Sequence, residues 1–342
     1  MKKTTKWIAL SFLISLVVMA AVLVYTIDAN TLESIRNIKP AYIVLAILLH
    51  LTSFLVWGLR TSVLSKALGY EIELTKAVQI VISSTFLASI TPSSIGGEPL
   101  RIHLLNSNEM PVGSATAVVL GERVLDAIFI LMAAPVALYL FRDITTYHRI
   151  DTILVLGEIF LLFILGLLLY AIWKPKHTRK AIQWIVKGCE SRVGKKRKVF
   201  FCTLSEKIDA EVEEFHDSIY YILSKGRKGL FKGIICTLFF WFVEFSMLPV
   251  ILIGLNIEPA GLVVYAAQVL LMIVVVIPTT PGSSGVAEIG ATTLFSIFVP
   301  TYVLGIVVVS WRAFTYYLNL LVGGFVSFKI LRDTVLVNRM LK

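Results

Sequence analysis

Two stretches of this chain place polar, helix-breaking residues and a glutamate inside otherwise apolar sequence. Each contains a Thr-Pro pair, serines and glycines before the glutamate: Thr91, Pro92, Ser93, Ser94, Gly96, Gly97 and Glu98 in the first stretch, and Thr280, Pro281, Gly282, Ser283, Gly285 and Glu288 in the second. A threonine can cap a helix and a proline suits its first position, so each stretch predicts a helix start. Free amides there carry partial positive charge, and glycines let a ligand approach the backbone closely. Two such starts within a bilayer suit an anion such as a lipid phosphate; the alternative is that they only break helices for packing.

Two arginines inside apolar segments strengthen the functional interpretation. A charge at the bilayer centre costs roughly 2.5–3.5 kcal/mol even on lenient insertion scales, so Arg123 and Arg312 each need a partner or a wet cavity. We expect Glu98 to be the partner of Arg123 and Glu288 the partner of Arg312. These pairs either pin the hairpins to the spans as structural salt bridges, or the arginines take turns holding a phosphate while the glutamates compete as counter-charges.

Further charged residues surround the first arginine. Glu122 precedes Arg123, Asp126 follows it at i+3, and Arg101 follows the first glutamate; we include all three as candidate substrate-binding residues. Arg60, near the end of a predicted span, is interpreted as an interfacial anchor whose side chain reaches the headgroups. Glu244 lies in the middle of a span, where it is either protonated or faces a cavity.

The two stretches are copies of one another. Gln79, Thr91, Pro92, Ser94, Gly96 and Arg123 recur 189 positions later, as Gln268, Thr280, Pro281, Ser283, Gly285 and Arg312. Glu98 and Glu288 correspond after a slip of one residue. We interpret this as an internal structural repeat of the kind found in transporters, and we add Gln79 and Gln268 to the candidate site.

Composition indicates a polytopic membrane protein. The chain has 342 residues, 57% of them hydrophobic and 16% charged, and a mean hydropathy of +0.84. No soluble domain covers that much apolar surface. The net charge of +10 comes from basic residues that flank apolar segments, so we expect membrane orientation and no nucleic-acid partner. No metal-ligand spacing, nucleotide-binding fingerprint or catalytic motif is present, so we expect no cofactor, no metal and no catalytic residue.

The apolar segments predict an all-α fold of about six full transmembrane helices and two re-entrant helical hairpins, in a single membrane domain over 1–342. An N-terminal span, rather than a cleaved signal peptide, is expected because the first apolar run is too long for a signal. The full spans are predicted at 7–27, 41–64, 117–141, 151–173, 230–254 and 303–328, and the hairpins at 75–105 and 262–298. Repeat 1 then covers about 41–141 and repeat 2 about 230–328.

Basic residues set the expected orientation. The block 174–228 holds 14 of the 32 Lys and Arg residues, and it contains an amphipathic pattern formed by Leu204, Ile208, Val212, Phe215, Ile219, Ile222 and Leu223. That pattern predicts a helix on the membrane or docked under the bundle, or else a solvated linker. With both termini and this insert cytoplasmic, few basic residues remain outside. The hairpins then enter from opposite faces, and the repeat is inverted.

The residues from Thr91 to Arg101, the Glu122–Asp126 segment and the segment from Thr280 to Glu288 resemble signature blocks of the lysylphosphatidylglycerol synthase transmembrane-region family. The resemblance extends from about residue 5 to 335 and implies a helical domain that moves a lipid between leaflets. It implies anionic or aminoacylated phospholipids, or polyprenyl-linked sugars, as cargo. The chain has no room for the soluble aminoacyl-transfer domain of the full synthase, so synthesis itself is not expected.

These observations favour a lipid flippase or scramblase of the cell membrane, with membrane lipids as partners. The alternative is a membrane-embedded enzyme, or a subunit of one, that acts on lipid-linked sugars or phospholipid headgroups. A third interpretation is a non-catalytic partner of a lipid-modifying enzyme, and a homo-oligomer also remains open.

Overall fold

The computed structural model describes residues 17–26, 29–91, 96–142, 148–174, 198–276 and 280–340, and the isolated positions 177 and 180. Within these residues every regular element is helical. The helices, in chain order, are α1 Val17–Thr26, α2 Ala29–Arg36, α3 Pro40–Ala67, α4 Leu74–Ile90, α5 Gly97–Asn106, α6 Val112–Arg142, α7 His148–Trp173, α8 Lys198–Ser224, α9 Arg227–Gly254, α10 Leu262–Val276, α11 Val286–Phe295, α12 Thr301–Arg312 and α13 Leu318–Met340.

Four of the described helical segments are long and apolar enough to cross a membrane: Pro40–Ala67, Val112–Phe141, Arg227–Gly254 and Thr301–Ile330. The last one combines α12 and α13, which are joined by a π-helical turn at Ala313–Tyr317. The all-α polytopic fold predicted from composition is therefore confirmed. Of the N-terminal span predicted at 7–27, only residues 17–26 fall among the described residues.

Both predicted hairpins contain a helix, a break and a second helix. In the first, α4 and α5 pack against each other, and in the second α10 packs against α11. The expected helix start at Thr280-Pro281 is wrong, however. Pro281 belongs to a short 3-10 turn and α11 begins only at Val286, while α5 begins at Gly97. Pro92, Ser93 and Ser94 lie outside the described residues.

The two halves of the chain pack into each other. The long helices α3 and α9 share an extensive interface, α4 packs on α13, and α10 packs on α6. Glycine permits one of these close approaches: a Cβ atom on Gly323 would lie 2.6 Å from Cβ of Phe86 in α4. Gly323 therefore lets α13 pack closely on α4.

The amphipathic pattern of the basic insert forms α8, which docks on the start of α6. Val212, Phe215, Ile219 and Ile222 are buried, whereas Leu223 is exposed. The backbone N–H of Gly113 donates to a carboxylate oxygen of Glu211 at 2.6 Å. The docked alternative therefore agrees with the structure, and the solvated linker does not, over the part of α8 whose side chains are described.

The close contact of α3 with α4 at Gly58 yields a stability prediction. A Cβ on Gly58 would lie 2.4 Å from Cγ2 of Val78 and 2.9 Å from its Cα. Gly58→Ala should therefore destabilise the protein by about 1–3 kcal/mol through overpacking. Gly121→Ala is the matched control, since a Cβ there has no neighbour within 4 Å and alanine is the better helix former. Thermal unfolding in detergent should show a lower midpoint only for Gly58→Ala; equal midpoints would contradict the packing.

Candidate functional site

The second helix break packs against the C-terminal end of α4, where the first break begins. At the C-terminal end of α4, the backbone oxygen of Ser89 accepts a hydrogen bond from the Tyr316 hydroxyl at 3.4 Å. Gly282, in the second break, has φ of +58°, and a Cβ there would lie 2.8 Å from the same Ser89 oxygen. Glycine is required here both by its backbone conformation and by this close approach. The polar segments that the repeat placed far apart in sequence are therefore neighbours in space.

Arg312 closes the second break. Its Nε donates to Oε1 of Glu288 at 2.8 Å, its Nη2 donates to the backbone oxygen of Gly282 at 2.8 Å, and its guanidinium lies 4.3 Å from the ring centroid of Tyr316. The other oxygen of Glu288 accepts the Gly285 backbone N–H at 2.6 Å. One carboxylate thus caps α11 and neutralises the arginine, and both side chains are buried.

Arg123 makes a looser pair at the first break. Its Nε lies 2.9 Å from Oε1 of Glu98, but the N–H does not point at that oxygen and makes no hydrogen bond. A second contact, Nη1 to Oδ2 of Asp126, is 3.5 Å long. The side chains of Arg123 and Glu98 are 35% and 30% exposed, against 6% and 0% for Arg312 and Glu288. Both expected ion pairs are present, and the first is the more accessible.

Arg60 is the centre of a buried network, so its interpretation as an interfacial anchor is wrong. Its side chain is 0% exposed. It donates from Nη1 to Oδ1 of Asp126 at 2.6 Å and from Nη2 to Oδ2 at 3.2 Å, and also to the Thr237 hydroxyl at 3.1 Å. The helix ends at Ala67, three residues beyond the predicted end, and Arg60 is enclosed because α6 contributes Asp126 and α9 contributes Thr237 around it. Trp241 Nε1 adds a further donor to Asp126 at 3.1 Å.

Glu122 gathers a second set of donors. Its carboxylate accepts from Arg101, from the Thr61 hydroxyl at 2.8 Å and from Trp57 Nε1 at 2.9 Å. Arg101 is 1% exposed. Its Nε and Nη1 are buried and have no hydrogen-bond partner among the described residues. A fully buried guanidinium with unused donors is costly, so this corner of the site can accept an additional oxygen.

The arginines of the first half form a ring around one indole. The guanidinium carbons of Arg101, Arg123 and Arg60 lie 5.1, 5.2 and 5.8 Å from the ring centroid of Trp57. Three carboxylates, from Glu98, Glu122 and Asp126, balance the three positive charges. We call these seven side chains the arginine cluster. It is neutral as it stands, so an anion can enter only by replacing a carboxylate or by reaching unused donors.

Other candidate residues have local roles. The Thr91 hydroxyl accepts the Gly96 backbone N–H at 3.0 Å, Thr280 donates to the Ser284 backbone oxygen at 2.6 Å, and Ser283 donates to that of Val275 at 3.3 Å. These hydrogen bonds stabilise the non-helical backbone at each break.

Among the described residues, neither of the repeated glutamines, Gln79 and Gln268, forms a hydrogen bond to a charged side chain. Gln268 donates to the Phe245 backbone oxygen at 2.7 Å and ties α10 to α9. Gln79 lies half-buried in α4. The sequence analysis did not identify Trp57, Thr61, Thr237 and Trp241 as site residues, because an uncharged side chain within an apolar run does not stand out from its neighbours. The position of Trp57, one turn before Arg60, could have indicated that it contacts the arginine.

The site has no metal character among the described residues, where no group of three or more His, Cys, Asp or Glu side chains could hold an ion. A cavity of about 720 Å³ lies between Glu33, Asn37, Asn256 and Tyr302. An apolar cavity of about 220 Å³ lies beside Tyr42. Neither of these two cavities is lined by residues of the arginine cluster.

The Arg60–Asp126 pair yields a second stability prediction. Arg60→Met leaves a buried carboxylate without its main partner and should cost about 3–5 kcal/mol, whereas Arg60→Met with Asp126→Leu should recover much of the loss. The exposed pair Lys66–Glu71, at 2.8 Å, is the control, and Lys66→Ala should cost less than about 1 kcal/mol. Thermal unfolding of the purified variants in detergent measures all of these. Equal losses from Arg60→Met and Lys66→Ala would contradict the buried network.

Comparison with known proteins identifies the family. The family model described as the lysylphosphatidylglycerol synthase TM region matches residues 8–323. A UPF0104 membrane protein of Archaeoglobus fulgidus is 33% identical over 97% of this chain and 99% of its own length. A UPF0104 membrane protein of Methanocaldococcus jannaschii is 26% identical over 97% of this chain and 96% of its own. One of Pyrococcus horikoshii is 22% identical over 88% of this chain and 90% of its own.

No solved structure matches the chain significantly. The family-model match extends from α1 into the last helix and so includes both helix breaks and every member of the arginine cluster. The chain therefore belongs to the lysylphosphatidylglycerol synthase transmembrane-region family of multi-pass membrane proteins.

Proposed function

We propose that this protein translocates an anionic, phosphate-bearing lipid between the leaflets of the cell membrane. The observation that carries the proposal is that the second helix break lies against the end of α4, where the first break begins, and that each break has its own arginine paired with a glutamate. Broken helices at membrane depth occur where they are buried in protein or line a cavity. A guanidinium beside such a break suits phosphate, because its donors match the phosphate oxygens.

The unequal exposure of the two arginines supports alternating use. Arg123 and Glu98 are about one-third exposed, whereas Arg312 and Glu288 are enclosed. A headgroup can therefore reach Arg123 first, and Arg312 becomes available only after the second break opens. In the reverse arrangement Arg312 would be exposed and Arg123 enclosed, and the headgroup would leave to the other leaflet.

Glu98 is the carboxylate that a phosphate replaces most easily. Its contact with Arg123 lacks a well-directed hydrogen bond, while Glu122 accepts from Arg101, Thr61 and Trp57. The unused donors of Arg101 offer the incoming anion a further contact. A phosphate that displaces Glu98 keeps the local charge balanced, which an apolar or cationic cargo would not do.

The inverted repeat and the orientation belong to the same proposal. The packing of α4 on α13, mirrored by that of α10 on α6, supports a pseudo-two-fold relation between the halves. The concentration of basic residues in 174–228 supports a cytoplasmic insert and cytoplasmic termini. Membrane lipids are the partners in this scheme; a homo-oligomer or a lipid-modifying enzyme is compatible with it.

Reconstitution into liposomes tests the activity. Vesicles containing a fluorescent phosphatidylglycerol or a fluorescent polyprenyl phosphate in both leaflets are treated with an impermeant quencher, with fluorescent phosphatidylcholine vesicles as the comparison. The protein should expose the inner-leaflet anionic lipid to the quencher. Arg123→Ala and Arg312→Ala should each slow this about tenfold or more, because a charge-assisted hydrogen bond contributes about 1.5–3 kcal/mol.

Lys66→Ala, at an exposed position, is the control and should exchange lipid like the unmodified protein. No exchange of either anionic lipid by the folded protein would overturn the proposal. If purified protein instead turns over a lipid-linked sugar, and Glu98→Gln abolishes that turnover, the membrane-enzyme alternative is correct.

A binding experiment distinguishes the role of Arg123 from that of Glu98. Glu98→Gln removes the competing negative charge and should raise the amount of phosphatidylglycerol that co-purifies with the protein, whereas Arg123→Ala should lower it. Native mass spectrometry of protein from mixed phosphatidylglycerol and phosphatidylcholine micelles measures both. Parallel losses in the two variants would indicate a purely structural salt bridge.

A further inference from the structure

A second polar site lies outside the arginine cluster, where three helices from the two halves meet. His50 of α3 is 3% exposed. Its Nε2 lies 2.8 Å from Oδ1 of Asn319 in α13, and its Nδ1 lies 3.8 Å from Oε2 of Glu244 in α9. Both Nδ1 and that carboxylate oxygen are buried and make no hydrogen bond. Neither side chain takes part in the proposed headgroup site.

The amide of Asn319 determines which nitrogen of His50 carries hydrogen. Asn319 Nδ2 donates to the backbone oxygen of Thr315 at 2.5 Å. A flipped amide would set its oxygen against that carbonyl oxygen, so the amide oxygen must face His50. Nε2 of His50 is therefore the donor. In a neutral imidazole the other nitrogen is then unprotonated, and its lone pair faces the carboxylate of Glu244.

Two acceptors cannot face each other in a buried place without cost. An unprotonated Nδ1 and an ionised Glu244 would both lack a hydrogen, and the gap of 3.8 Å leaves no room for a water on the line between them. One proton resolves the conflict, either as an imidazolium paired with a carboxylate or as a neutral imidazole that accepts from a carboxylic acid. We propose that His50 and Glu244 form a proton-binding site that joins α3, α9 and α13.

Other charged groups are already paired or lie apart from this site. Along α3 the next charged side chain is Arg60, ten residues or ~15 Å away and bound to Asp126. On the side of α13, Arg312 is held by Glu288, and Tyr316 donates to Ser89.

On α4 the titratable side chain is Lys76, which is exposed at its first turn. On α6, the helix that also contacts both α3 and α9, the charged side chains that the structure describes are Glu122, Arg123 and Asp126, and they belong to the arginine cluster. Glu244 is thus the charged group that contacts His50 among the described residues.

The site is placed to influence the second break. The π-helical turn Ala313–Tyr317 separates Arg312 from Asn319 on one continuous helical segment. Thr315, which orients Asn319, belongs to that turn. Such turns are local irregularities that often occur at functional positions. The bond from His50 Nε2 to Asn319 ties the segment that carries Arg312 to α3, and a proton between His50 Nδ1 and Glu244 ties α3 to α9 at the same point.

Two spectroscopic measurements at pH 7 test the proposal on the full chain in detergent. With ¹⁵N-histidine labelling, His50 is assigned by its loss in His50→Gln, and infrared difference spectra against Glu244→Gln report a protonated carboxyl. A proton on Nδ1 together with one on Nε2, or a protonated Glu244, is the expected result. An unprotonated Nδ1 with an ionised Glu244 would overturn the proposal.

A stability measurement gives an independent readout. The folded protein holds the proton, so its stabilising effect is present at low pH and is lost as the pH rises. In Glu244→Gln, the amide can donate to Nδ1 without any proton. The unfolding midpoint of the unmodified protein should therefore fall more steeply with rising pH than that of Glu244→Gln. Identical slopes would contradict the proposal, whatever the outcome of the lipid-exchange experiments.

Discussion

A charge inside a bilayer has no water to neutralise it, and this constraint governs the arrangement of helices in this protein. Arg60 is paired with Asp126, Arg101 with Glu122, Arg123 with Glu98, and Arg312 with Glu288. The first three pairs surround Trp57, whose indole nitrogen donates to Glu122. Because the partners come from α3, α5 and α6, with Thr237 and Trp241 contributed by α9, the network defines where these helices lie relative to one another.

The network separates pairs that hold the structure from pairs that can exchange. Arg60 and Asp126 share two hydrogen bonds and are almost entirely excluded from solvent. Removing either partner leaves a buried charge, so this pair serves the fold. Arg123 and Glu98 are more exposed and poorly aligned. The same physical interaction thus stabilises the helices in one place and leaves an arginine available to an anion in another.

Much of this arrangement could be predicted from the sequence, because hydropathy and repeated breakers are local signals. Both helix–break–helix segments lie close to the predicted ranges, and Arg312 and Arg123 have the expected partners. The start of α11 could not be predicted from Thr280-Pro281. Gly282 and Ser283 adopt positive φ values after Pro281 and delay α11 by five residues.

Tertiary contacts account for the other differences between the predicted site and the observed one. Arg60 looks like an interfacial anchor when only its distance from the end of an apolar run is considered; Asp126 and Thr237 lie far away in sequence, and only packing brings them together. The same holds for His50, Glu244 and Asn319, each of which is a lone polar residue in its own helix. A local pattern carries no information about such partners.

The central claim is that the two neighbouring helix breaks offer Arg123 to a phosphate once Glu98 withdraws. An electron cryo-microscopy map of Glu98→Gln in nanodiscs containing phosphatidylglycerol tests it most directly. The account predicts headgroup density against the Arg123 guanidinium, beside the contact between Ser89 and Gly282. A well-resolved map in which Arg123 remains turned toward Asp126 and Trp57, with no headgroup at the breaks, would contradict it.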